Sequence, residues 1–83
     1  MSDNGYRNLM RAAARFVLGE RTEVRIKGSG ERISALKEVL HASRALYEAL
    51  EGRAPLEAVV PLIERKHSAA RKFREVTGLQ WLL

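Results

Sequence analysis

The chain has 83 residues, 46% of them apolar and 30% charged, a globular composition too apolar for a disordered segment. Fifteen Lys and Arg against ten Asp and Glu leave a formal charge of +5, which favours anionic partners at long range. The absence of cysteine excludes disulfides and thiolate metal sites.

The first element is a basic helix over about residues 5–18. At 100° per residue Tyr6, Leu9, Met10, Ala13, Phe16 and Val17 share one side, while Arg7, Arg11 and Arg15 stack on the other. Gly19 is placed to stop it. Residues 22–27 then alternate: Val24 and Ile26 face one way and Glu23, Arg25 and Lys27 the other, the pattern of a half-buried strand. Gly28-Ser29-Gly30 turns the chain, with Ser29 placed to cap the next helix and Glu31 in its first turn.

A long helix is expected over 30–51. Its apolar positions Ile33, Leu36, Leu40, Ser43, Tyr47 and Leu50 follow heptad-like spacing, a seam widened by Val39 and Leu46. Lys37, Glu38, His41, Arg44 and Glu48 fall on the far side. After Gly52, Pro55 suits a helix start, but Pro61 cannot donate to the carbonyl of Glu57. Either a kinked helix runs from 55 to 77, or a short helical turn precedes a helix beginning at Pro61; the second is preferred. Leu62, Ala69, Phe73 and Val76 form its apolar face, Lys66 lies along the edge of that stripe, and Gly78 ends it. Residues 79–83 (LQWLL) are an apolar tail expected to pack down.

The expected fold is therefore one mainly α domain: a short N-terminal helix, one short strand, then an antiparallel helical hairpin. A lone strand has unpaired ladder groups, so it pairs with the tail or with a second copy across a dimer axis, unless the strand assignment fails. Size points the same way. A domain this small buries only roughly 60% of its unfolded surface. With no disulfide, and two scattered histidines unsuited to a structural metal, self-association or docking on a larger protein is the expected supplement.

No apolar run approaches the ~20 residues of a membrane helix. Arg15 interrupts the apolar stretch 12–18 and no small-residue cleavage site follows, so no secretory leader is read and the cytoplasm is the expected compartment.

Catalysis has no support in the residues. The serines lack a base and an orienting group, no carboxylates pair in an apolar setting, and His41 and His67 project onto polar faces. No cofactor is expected. Lys27-Gly28-Ser29-Gly30 has the strand–turn–helix setting in which anions bind, but lacks both GxxxxGK[ST] and full GxGxxG spacing. It is read as a tight turn.

Two kinds of surface remain. The candidate association residues are Val24, Ile26, Ile33, Leu36, Leu40, Ser43, Tyr47, Leu50 and Trp81. The candidate anion or nucleic-acid contacts are Arg7, Arg11 and Arg15, then Arg25 and Lys27, then the run Arg65, Lys66, Arg71, Lys72 and Arg74; an Arg71–Glu75 pair is expected to neutralise part of that run. The leading expectation is a non-enzymatic protein-interaction or self-associating module, an adaptor or regulator. The alternative is a nucleic-acid-binding protein, possibly dimeric, that uses basic helix faces and the Glu23/Arg25/Lys27 face.

Overall fold

The computed structural model describes residues 2–83, with side chains from Gly5 onward. Three helices follow in order: α1 (Ser2–Val17), α2 (Gly30–Glu51) and α3 (Leu56–Thr77). α2 and α3 pack as an antiparallel hairpin, and α1 lies against α2 without meeting α3. The angle between α1 and α3 is filled instead by the tail. Trp81 is buried there among Leu9 and Ala13 of α1, Ala35, Leu36, Val39, Leu40 and Ala42 of α2, and Ala69 and Phe73 of α3.

The tail reaches this position through the end of α3. Gly78 takes φ +76 and donates its N–H to the Arg74 carbonyl, a left-handed turn that costs glycine no steric penalty. The Thr77 hydroxyl donates to the Phe73 carbonyl at 2.7 Å, and Leu79 N–H donates back to that hydroxyl at 3.1 Å. Further along, the Tyr6 hydroxyl donates to the Gln80 carbonyl at 2.7 Å and ties α1 to the tail. The Trp81 ring meets Phe73 edge-on, with centroids 5.3 Å apart, and its Nε1–H donates to Ser43 Oγ at 2.9 Å. Ser43 thus gives a buried indole N–H its acceptor.

α2 buries two adjacent rows, Ala35/Val39/Ala42 and Leu36/Leu40/Ser43. This corrects the single seam expected from Ile33 to Leu50: a helix with neighbours on two sides must bury a broader arc. The seam's ends, Ile33 and Leu50, are exposed. Beyond Ser43 the hairpin continues as a bare pair of helices. Across residues 44–62 only Val59 is buried, and Leu50, Leu56 and Val60 are exposed. This arm gives the molecule its elongated 42 × 24 × 19 Å shape.

α3 is one continuous helix through Pro61, so the preferred break at that residue is not observed. Pro61 and Glu57 both lie on the exposed side, where water can serve the carbonyl that the proline leaves without a donor. Val59 in the same turn is buried, on the opposite side from Pro61. Ser29 occupies the cap position of α2 but makes no side-chain cap bond; its carbonyl accepts from Ile33 N–H at 3.2 Å.

Cross-helix polar contacts add to this packing. Arg65 of α3 grips Glu38 of α2 with two bonds of 2.9 and 3.1 Å. The Arg65 bond holds the Glu38 carboxyl below the ordinary carboxylate range, against a smaller opposing effect of partial burial. A depressed folded-state value means the pair stabilises above the unfolded carboxylate range and ceases to do so as pH falls through Glu38's own titration. Both side chains are about half exposed, so the contribution is at most about 1 kcal/mol. Glu38→Gln is expected to lose that amount at neutral pH and nothing in acid, as urea denaturation at both pH values would show. An equal loss at both would assign the effect to packing.

The strand expected at 22–27 is absent, and so is its pairing with the tail: the described residues contain no β-ladder. The segment does keep the alternation that suggested it. Thr22, Val24 and Ile26 are half-buried while Glu23, Arg25 and Lys27 are exposed. Alternating side chains describe an extended chain; a strand also requires a neighbour to bond.

Candidate functional site

The segment between α1 and α2 is where the sequence-derived candidates converge. Among the described residues no backbone–backbone hydrogen bond begins or ends between residues 21 and 28, and no side chain bonds to that backbone. Folded proteins satisfy nearly all such groups, so here they turn to water or to another chain. Arg25 and Glu23, two residues apart, pair at 2.9 Å with side chains 81% and 70% exposed. Side chains at i and i+2 share a face only when the chain is extended.

A groove lies on each flank. One, of about 260 Å³, lies between the segment and the start of α2 and is lined by Val24, Ile26, Ile33 and Leu36, with Arg25 and Lys37 also lining it. The other, of about 380 Å³, separates the segment from α1 and the tail and is lined by Tyr6, Leu9, Ile26 and Leu79 with Arg25 and Lys27. Both are mainly apolar with cations among their lining residues. Sequence reasoning found Val24, Ile26, Ile33 and Leu36 but missed Lys37, Tyr6 and Leu79. Lys37 stands one turn after Ile33, a spacing that gave the available signal.

At the end of the segment Gly28 takes φ +135, and a Cβ there would collide with the Arg32 side chain. Arg32 folds across the glycine, and its Nε is shut from solvent without a partner. The KGSG turn is thereby occupied by the chain's own guanidinium stem.

Of the other association candidates, Leu36, Leu40, Ser43 and Trp81 belong to the core, Tyr47 is half-buried, and Leu50 is exposed on the arm. The basic candidates divide into separate patches. Arg7, Arg11 and Arg15 are exposed on α1, with Arg11 and Arg15 beside Asn8 and Thr22 around a shallow hollow. Arg71 and Arg74 flank the tail near Gln80 and Trp81. Lys72 is exposed, and Lys66 is half-buried as its place at the stripe edge suggested. Arg65 is committed to Glu38, and the Arg71–Glu75 pair is not among the ion pairs of the described residues.

His41, read as a surface group, is exposed but also meets Phe16 of α1 edge-on at 5.4 Å; Arg44 lies 5.0 Å over the same ring. These two residues dock α1 on α2. Among the described residues no three His, Asp or Glu side chains lie close enough to share a metal ion, and no helix is long and apolar enough to cross a membrane. Compared with protein-family models, curated proteins and solved structures, the chain matches none.

Proposed function

We propose that this chain is a non-enzymatic contact module that associates with itself and serves as an adaptor or regulator. The observation that carries this reading is the extended segment 21–27, whose backbone makes no hydrogen bond among the described residues and whose flanks are apolar grooves. Surface area supports it. The chain exposes 5913 Å², where a compact 9.4 kDa monomer exposes about 5,000 Å². The excess reflects the elongated shape and leaves room for the ~800 Å² that each partner contributes to a standard interface.

Nucleic-acid binding is the second reading, favoured by the exposed Arg7/Arg11/Arg15 stripe, none of which enters an ion pair among the described residues. Light scattering with and without mixed oligonucleotides, at low and high salt, separates the two. Self-association is expected to give a discrete oligomer that persists at high salt without nucleic acid. A monomer that binds oligonucleotides with steeply salt-dependent affinity would replace the first reading with the second.

A further inference from the structure

We propose that Arg21–Lys27 pairs antiparallel with the same segment of a second copy, the two-fold axis passing between the two Val24 residues. This rests on the self-association reading and names its surface and register. Two alternatives carry less. The exposed Leu50, Leu56 and Val60 on the hairpin arm have nothing beside them to indicate what covers them, and the KGSG turn is filled by Arg32.

Extended backbone is the occupant that can meet several of the segment's N–H and C=O groups at once, because they recur along an alternating segment. Among extended chains, a second copy is selected by charge. In an antiparallel pair, directly opposite residues point to the same face, so any axis through a residue keeps Thr22, Val24 and Ile26 inward and Glu23, Arg25 and Lys27 outward. An axis at Glu23 or at Arg25 sets that residue against its own copy. An axis at Ile26 sets Arg25 against Lys27 twice, and one at Thr22, although it matches Arg21 with Glu23, sets Val24 against Glu20, whose N–H is already bonded to the Arg15 carbonyl.

An axis at Val24 instead sets Glu23 against Arg25 twice. Because Arg25 already pairs with Glu23 of its own chain, the four side chains form a square in which every neighbour carries the opposite charge. Inward, Val24 meets Val24 and Thr22 meets Ile26, above the groove where Ile33 is 39% exposed. Arg21 faces Lys27 at the two ends of the ribbon, where long side chains diverge into water; that repulsion is weaker than the central square.

The test uses the full chain in sedimentation equilibrium. Glu23→Arg and Arg25→Glu each convert the square to four like charges and are expected to weaken the dimer by about tenfold or more. The double swap, Glu23→Arg with Arg25→Glu, restores the alternation and is expected to restore the affinity. An axis at Arg25 predicts no rescue, since the swap then sets Glu against Glu and Arg against Lys. Both positions are exposed, so the fold is not at stake.

A second measurement is independent of charge. The chain has no cysteine, so Val24→Cys supplies a single thiol. Axis residues lie about 4.5–5.5 Å apart between Cα atoms, within disulfide range. Mild oxidation is expected to link Val24→Cys chains into dimers, whereas Lys27→Cys, some 20 Å from its mate, stays unlinked. A dimer indifferent to the charge variants, or one in which Lys27→Cys links as fast as Val24→Cys, overturns this pairing and leaves self-association standing. A chain that stays monomeric overturns both.

Discussion

Trp81→Ala is expected to cost about 3–5 kcal/mol, the range for deleting a fully packed large aromatic side chain. A chain of 83 residues has only roughly 4–12 kcal/mol of stability in total, so the variant should be largely unfolded or close to it at 37 °C. The loss is large because Trp81 stands where α1 and α3 do not meet. Removing the indole takes away the Phe73 edge contact and the apolar surface against which Leu9 and Ala13 of α1 are buried. It also strips Ser43 Oγ of its donor.

The polar part can be isolated. Ser43→Ala leaves the indole N–H buried without an acceptor, at about 1–3 kcal/mol. Trp81→Phe keeps a ring against Phe73 and removes the N–H. If the hydrogen bond is the coupling, the double variant costs less than the sum of the two single ones. Denaturant midpoints measure all four proteins, and full additivity would show that Ser43 and Trp81 act separately.

Pro61→Ala is expected to act in the opposite direction, raising stability by up to about 3 kcal/mol, the propensity difference between these residues in a helix interior. For a chain of this length that corresponds to a rise in Tm on the order of 10 °C. α3 already runs through position 61, so alanine needs no new backbone path. It supplies the N–H that the Glu57 carbonyl lacks and removes the ring that crowds it. Pro61 is exposed, so no core packing is lost with it. Thermal unfolding followed by circular dichroism checks this, and an unchanged or lower Tm would mean that the ring contributes contacts or rigidity outweighing one helical bond.

Much of the fold is legible in the residues, because amphipathic period and punctuation are local properties. The bounds of α2, the end of α3 before Gly78, and the apolar side of α1 follow from spacing alone. The heptad-like spacing of α2 predicts a seam narrower and longer than the surface the helix buries. No pattern within one helix shows that a second neighbour will pack beside the first, or that α1 will stop short of Tyr47 and Leu50. Pro61 predicts a break that does not occur, since its cost depends on whether water reaches the Glu57 carbonyl, a tertiary fact.

The extended segment is the instructive case. Its alternation reports which side chains face the body, whereas a strand is defined by bonds to a neighbour that this chain does not supply. Likewise the basic residues could be counted in advance, but their separation into patches on α1, α3 and beside the tail depends on how the helices are arranged. Sequence alone fits Trp81 as either core or anchor, and it is the contacts with Ser43 and Phe73 that make it core.

The bare hairpin arm has a kinetic consequence. Residues 44–62 bury Val59 alone, while Val39, Phe73 and Trp81 lie buried in the core. Local opening free energies follow buried apolar contact, so the arm should breathe without the rest of the molecule unfolding. Amide hydrogens near the tip of α2 and the start of α3 then exchange with deuterium orders of magnitude faster than those of residues 35–43 and 69–73, although all belong to the same two helices. Each long helix is thus two cooperative units joined end to end, a slow half anchored under the tail and a fast half extending past it.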